Sequence, residues 1–310
     1  MAKRLVLAFV GVICAGVVVG QMKKQFTVDD QEACATVDLC LKAKTGNCFI
    51  RPGQSSELLS IYSNQDLEEF AHTFSNEIKG AVCFVKLALE QQDQRGVSKK
   101  ISYQVFGGEE KASDQFWKVY LTNEKPYSLD LDYGLGNANV DLSGLAIRKL
   151  KINTGSADVN VSYASGAENK VEMDTFFVKV DLGSLNVKQL NLSRSKVVVA
   201  EVGFGNIFLD FSNKPEHMPT VKGSVGAGNM VILLPDESVP VMVKIKDSWL
   251  CSVNLSRNLK KTNEHTYSNA AYAHNPKNAL TFDLDVSMGK IVFKDKSQQA
   301  NGQIILNPGG

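Results

Sequence analysis

Residues 127–161 read YSLDLDYGLGNANVDLSGLAIRKLKINTGSADVNV, and the spacing of their apolar side chains decides the fold. Leu129 and Leu131, then Ala138, Val140 and Leu142, then Leu150 and Ile152, then Ala157, Val159 and Val161 recur at every second position. A period of two belongs to a strand with one buried face, because successive Cβ atoms point to opposite sides of the pleat. The stretch holds two copies of one unit, an alternating run followed by a turn of small residues, joined by Leu142-Ser143-Gly144-Leu145.

Toward the C-terminus the unit recurs. Phe177 to Leu182 leads to Gly183 and then Leu185 and Val187; Val197 to Val202 leads to Gly203-Phe204-Gly205 and then Ile207, Leu209 and Phe211. Val221 to Val225 leads to Gly226-Ala227-Gly228 and then Met230, Ile232 and Leu234. Aligned on the glycine before each alternating run, the anchors are Gly136, Gly155, Gly183, Gly205 and Gly228, separated by 19, 28, 22 and 23 residues. A unit of about 20 residues cannot bury its own apolar face, so the pattern predicts an all-β, single-stranded β-solenoid of stacked rungs. These glycines are expected to turn the chain between faces by adopting positive φ.

Toward the N-terminus, Val37, Leu39 and Leu41, the turn Thr45-Gly46-Asn47, and Phe49 before Pro52 read as strand, turn and strand. Residues 21–36 are polar and acidic and read as a flexible lead-in. Within Ser63 to Gly80 the residues Leu67, Phe70, Ala71, Phe74 and Ile78 stand at offsets of three and four, which predicts one short inserted helix near residues 65–79. Trp117, Val119 and Leu121 form another alternating strand, with Trp117 inward. Lys244 to His274 is the least regular part and reads as a loop or lid crossing one face. The expected organisation is a signal peptide over 1–20, the lead-in, one solenoid domain over 37–294 and a frayed tail over 295–310.

The signal peptide rests on Lys3-Arg4 followed by the uncharged run Leu5 to Gly20, shorter than the roughly 20 residues of a spanning helix. Cleavage near Gly20 leaves no transmembrane domain and places the protein outside the cytoplasm, in the periplasm or at the surface of a bacterium. In an oxidising compartment Cys34, Cys40, Cys48 and Cys83 are disulfide candidates forming one or two bridges, with Cys251 left over. Lysine plus arginine number 34 against 33 acidic residues, so no global field recruits nucleic acid.

No catalytic set emerges. The turns Gly134 to Gly136, Gly203 to Gly205 and Gly226 to Gly228 lack the third glycine and following helix of a dinucleotide site. His72, His217, His265 and His274 are scattered without ligand spacing, and the nonapeptide of calcium-binding β-rolls is absent. No cofactor or metal is therefore expected. Asp130, Asp132 and Asp141 are the carboxylates that a glycosidase on a β-helix would use. Asn160, Asn191 and Asn254 lie in N-x-S sequons.

Trp117-Lys-Val-Tyr-Leu-Thr-Asn, the paired glycines Gly134 and Gly136, Val140-Asp-Leu-Ser-Gly-Leu145 with Leu150, and the turn Thr154-Gly-Ser-Ala-Asp-Val159 resemble the toastrack family, related to the C-terminal domain of LiaF-type cell-envelope stress regulators. The match is dense between Trp117 and Val161 and departs from the family at Ser156, where a glycine is usual. The resemblance implies a stacked β-strand solenoid outside the cytoplasm with no general enzymatic activity. The expected function is a non-catalytic, adhesin-like binding or structural protein that presents a ridged surface to another envelope protein or a surface glycan. The alternatives are a carbohydrate-active enzyme on a β-helix scaffold and, from the family alone, a regulator of envelope stress signalling.

Overall fold

The computed structural model describes residues 22–64, 71–90 and 116–296, so the signal-peptide and most of the tail expectations lie outside the described residues. The first strands are β1 (Lys23–Asp29), β2 (Thr36–Ala43), β3 (Asn47–Pro52) and β4 (Glu57–Ser63), followed by β5 (Ala71–Lys79), β6 (Val82–Glu90) and β7 (Phe116–Leu121). Five strand pairs come next: β8 (Tyr127–Tyr133) with β9 (Asn137–Asp141), β10 (Ile147–Thr154) with β11 (Asp158–Ser162), and β12 (Met173–Val180) with β13 (Ser184–Val187). The remaining two are β14 (Ser195–Val202) with β15 (Asn206–Asp210) and β16 (Thr220–Val225) with β17 (Asn229–Leu233). The last elements are β18 (Val241–Asp247), β19 (Ser252–Asn254), β20 (Lys260–Asn263), β21 (Thr266–Ser268), the short helix α1 (Ala270–His274), β22 (Leu280–Val286) and β23 (Lys290–Lys294).

The fold is a β-solenoid. Each coil gives one strand to a front sheet of eleven strands and the next to a back sheet of twelve. Coils stack in parallel register, which turns the alternation of each strand into columns of like residues. On the back sheet one inward column runs Leu39, Leu129, Leu150, Phe176, Val198, Val221, Phe282. On the front sheet Ile50, Val140, Val161, Val187, Leu209, Ile232 and Phe293 form another. All are buried and belong to one continuous core reaching from Val28 to Phe293. Each such side chain contributes about 1.5–3 kcal/mol when covered by its neighbours above and below. Trp117 is inward, at 2% exposure.

The two corners of each coil differ. From β8 to β17 the glycine corner, from back sheet to front, is three residues long in every coil, and the opposite corner takes up the length differences between those coils; in the outermost coil at each end the same corner is longer, with residues 91–115 joining β6 to β7 and residues 248–251 joining β18 to β19. Register shows that Gly155 sits over Gly134, two residues ahead of the column to which spacing alone assigned it; Ala157 occupies that column, above Gly136 and below Gly183. The non-glycine in the column is therefore Ala157 and not Ser156, and the true intervals are 21, 26, 22 and 23 residues. The reason for glycine also differs from the expectation. Gly136 has φ 111°, but Gly155, Gly183, Gly205 and Gly228 do not have positive φ. A Cβ on Gly183, Gly205 or Gly228 would instead run into the carbonyl oxygen of the coil beneath, Ala157, Gly183 and Gly205 respectively. At the alanine coil the turn is held by the buried Thr154 hydroxyl, which donates to the Ala157 carbonyl at 2.8 Å.

Three expectations are corrected. Ala71–Lys79 is a strand, not a helix: it pairs antiparallel with β6 around Gly80 and Ala81, while residues 65–70 lie outside the described residues. The lead-in contains β1, which pairs antiparallel with β4, and its Phe26 stacks on Phe74 of β5 at 4.4 Å. Lys244 to His274 is not a crossing lid. It begins inside β18, whose Val243 and Ile245 face the core, and continues through β19, the β20–β21 hairpin and α1.

Coil order follows the chain only between β8 and β17. At the N-terminal end β6 and β7 pair outside β2 and β3, so the first coil of the chain lies between the second and third. At the C-terminal end β18 and β19 are laid down first and β22 and β23 then fill the slot between them and β16 and β17. Antiparallel strands finish both sheets at the N-terminal end and the back sheet at the C-terminal end, where the front sheet closes on the short parallel strand β19, and lysines on the antiparallel strands (Lys23, Lys24, Lys79, Lys260, Lys261) discourage further pairing.

Candidate ligand-binding face

The two outward faces carry different chemistry because the register sorts outward residues into columns as strictly as inward ones. On the back sheet the columns alternate in sign. Lys151 lies 3.4 Å from Asp130, Lys42 is registered beside Asp132, Lys179 beside Glu201, and Asp283 between Lys222 and Lys244. Opposite charges on adjacent strands compensate each other across the face.

From β3 to β17 the two central columns of the front sheet carry a single charged side chain, Asp158. Immediately after the glycine column stand Asn47, Asn137, Asp158, Ser184, Asn206 and Asn229 in register. They bond along the stack: Asn137 Nδ2 donates to Asn47 Oδ1 at 3.1 Å, Ser184 Oγ to Asp158 Oδ1 at 2.5 Å, and Asn229 Nδ2 to Asn206 Oδ1 at 2.9 Å. Two residues further on, a second column places Asn139, Asn160 and Asn186 on three successive coils, with Phe49 at one end and Phe208 at the other. The Oδ1 of Asn186 is shielded from solvent and accepts no hydrogen bond among the described residues. The amide of Asn160, in its sequon, is exposed within this array.

The carboxylates singled out for hydrolysis do not converge. Asp130 and Asp132 alternate with inward Leu129 and Leu131 on the flat back face, as their spacing required. Asp141 holds the corner between coils, where its Oδ1 accepts from Ser143 N at 3.0 Å, Ser143 Oγ at 2.5 Å and Ala164 N at 3.2 Å. The histidines lie apart; His265 Nδ1 meets Asp247 at 2.9 Å and His72 packs on Phe26.

Of the cysteines, Cys34 and Cys83 form a disulfide that clips the entry to β2 onto β6, with Cα atoms 5.6 Å apart. Cys40, Cys48 and Cys251 are free thiols. Cys48 is buried among apolar side chains, and burial pushes its thiol up to about 12 against a smaller opposing pull from the Tyr133 hydroxyl. Burial likewise raises the phenols of Tyr127, Tyr133 and Tyr163.

Two buried amides went unnoticed in the sequence. Asn169 accepts from Ile147 N at 2.8 Å and donates to the carbonyls of Ile147 and Val171, each at 2.7 Å. Asn269 accepts from Val241 N at 3.0 Å and donates to Val239 O at 2.7 Å. Both sit at the loop corner and pair backbone groups that no neighbouring strand reaches. Neither stands in a spacing pattern that would have marked it.

Among curated proteins none matches this chain. Two solved structures are similar to it. One is described as a putative cell adhesion protein from Clostridium sporogenes ATCC 15579, with 15% identity and a TM-score of 0.40 over 89% of this chain and 100% of that one. The other is described as a putative adhesin from Bacteroides fragilis NCTC 9343, with 12% identity and a TM-score of 0.30 over 89% and 97%. The family model described as the N-terminal domain of toast_rack, DUF2154, matches residues 19–183. That match takes in more than half of the sequence, including the glycine corners and inward columns from β1 to β12, and the chain belongs to the toast_rack family.

Proposed function

We propose that the protein is an exported, non-catalytic binding scaffold whose front face takes a neutral surface glycan. The observation that carries this reading is the amide array of Asn139, Asn160 and Asn186 in register on adjacent coils, flanked by Phe49 and Phe208. Each amide offers donors and an acceptor, which is what sugar hydroxyls need, and the aromatic rings offer apolar faces for the sugar rings. Strand spacing sets the amides about 4.8 Å apart on hydrogen-bonded backbone, so little ordering remains to be done on binding. Export is supported by the Cys34–Cys83 bridge, which persists in oxidising compartments, and by the apolar run 5–20. Against the carbohydrate-cleaving alternative count the neighbours of its candidates: Asp130 stands beside Lys151, Asp132 is registered beside Lys42, and Asp141 caps backbone groups.

The test is titration of the full chain with a panel of neutral polysaccharides from bacterial surfaces, followed by calorimetry on any that bind. The triple variant Asn139→Ala, Asn160→Ala, Asn186→Ala is expected to lose at least about tenfold in affinity, equivalent to 1.4 kcal/mol. Lys222→Ala on the back face is expected to bind as wild type. Equal loss in both, or a front-face variant that binds unchanged, contradicts the reading.

A further inference from the structure

Six large apolar side chains are exposed among the described residues: Leu135, Leu182, Phe204, Trp249, Leu250 and Met288. All six stand at the glycine corner. Leu135, Leu182, Phe204 and Met288 are the central residues of four of the stacked tight turns, with Ser156 between Leu135 and Leu182 and Ala227 between Phe204 and Met288, and Trp249 and Leu250 form the turn of the outermost coil at the C-terminal end. A ladder of backbone bonds stacks these turns: Leu182 N donates to Gly155 O, Phe204 N to Asp181 O and Met288 N to Gly226 O, each at 2.8 Å. The side chains therefore stand along one edge about 30 Å long, one residue wide and interrupted only by the small residues Ser156 and Ala227. Exposures of 50% to 91% show how far they project.

Exposed apolar residues on a soluble surface are ordinarily scattered singly, so complete segregation to one edge marks an interaction surface. We propose that this ridge is a lipid-facing edge by which the protein lies on a bilayer of zwitterionic headgroups, coils edge-on and both sheet faces clear of the surface. Its shape selects the occupant. Two such ridges would touch only along their tips and leave the flanking charges stranded, whereas acyl chains close around each tip. Phe, Leu and Trp are the residues that interfacial segments bury to 5–10 Å depth. Charges beside the ridge come in both signs, Lys44, Lys179 and Lys290 against Asp158, Asp181 and Asp247, which gives no preference for an anionic lipid.

The proposal uses a different surface from the glycan face, and one set of variants separates the two. Ser156 and Ala227 already occupy the turn-centre position in other coils, so the triple variant Leu182→Ser, Phe204→Ser, Met288→Ser keeps the corner intact and retains Trp249 as a reporter. The full chain is mixed with phosphatidylcholine vesicles and followed by co-sedimentation and tryptophan emission. Because Trp117 is 2% exposed and Trp249 91%, emission changes report the ridge. Wild type is expected to co-sediment and shift to the blue; the ridge variant is expected to partition at least tenfold more weakly with unchanged circular dichroism. Asn139→Ala is expected to bind vesicles as wild type whatever it does to glycan. Three results overturn the proposal: absence of vesicle binding by wild type, equal binding by the ridge variant, or a concentration-dependent dimer that the ridge variant abolishes while vesicles bind neither.

Discussion

Between Tyr127 and Leu233 the chain climbs one coil at a time, each strand pairing with the strand one coil before it, whereas at the N-terminal end it lays the second coil outside the first and crosses back to continue on the other side, and at the C-terminal end it places the outer coil first and later fills the gap inside it. The two arrangements solve different problems. A central coil is covered above and below by near copies of itself, so one local pattern repeated is sufficient. A terminal coil has nothing beyond it, and its exposed edge would invite further chains. Enclosing the first coil between two later ones at the N-terminal end, and inserting the last coil between two already placed at the C-terminal end, locks each end by contacts distant in sequence. The disulfide Cys34–Cys83 adds a covalent lock at the N-terminal end, and Asn269 with the β20–β21 hairpin plays the equivalent part at the other.

The comparison breaks most visibly at the centre. Gly205→Val places a Cβ against the Gly183 carbonyl, and backbone has nowhere to go, so a loss of about 4 kcal/mol or more is expected. Thermal denaturation checks it, and a melting point within 2 °C of wild type, roughly a change below 1 kcal/mol, would remove close approach as the reason for glycine here. Cys34→Ser comes next. The bridge closes a loop of 49 residues, so its loss costs about 4 kcal/mol at most in chain entropy. Limited proteolysis should then release the N-terminal end before the centre, and uniform digestion would mean that the ends are not separately locked. The smallest effect belongs to the back face. Asp130→Asn leaves Lys151 without its exposed partner and is expected to move stability by no more than about 0.5 kcal/mol in chemical denaturation.

The centre was legible because in-register stacking writes the same alternation into every coil, and the inward set of Val140, Val159, Leu209 and Ile232 could be read directly from it. The ends were not. Phe74 and Ile78 are four apart, an interval shared by one face of a helix and one face of a strand, and only pairing with β6 decides between them. In β1 the alternation spans just Phe26 and Val28 among lysines and polar residues, too short a run to register. Coil order leaves no trace in spacing at all, because a parallel coil offers the same columns to whichever neighbour arrives. Glycine spacing located the corner but missed its register by two residues at Gly155, since Gly134 and Gly136 are equally plausible anchors until hydrogen bonds pick one. As for the candidate face, Asn139, Asn160 and Asn186 were visible only as polar alternates; their alignment in one column is a property of the stack. The exposed ridge was hidden for a related reason: Leu182 read as the end of the apolar run before Gly183, whereas it is 63% exposed, and only stacking sets it in line with Leu135, Phe204 and Met288.

Coil insertion at the C-terminal end can be tested by cross-linking. Lys222 is registered directly beside Asp283, and Lys244 lies beyond Asp283, so Lys222 and Lys244 are two strands apart, roughly 9–10 Å. With both positions outward, Lys222→Cys with Asp283→Cys should form a disulfide on mild oxidation of the folded protein. Lys222→Cys with Lys244→Cys should not, because Cα atoms farther apart than about 7 Å cannot be bridged. Bridging of the 222–244 pair with none between 222 and 283 would mean that the coils follow chain order throughout, and would contradict the inserted-coil architecture.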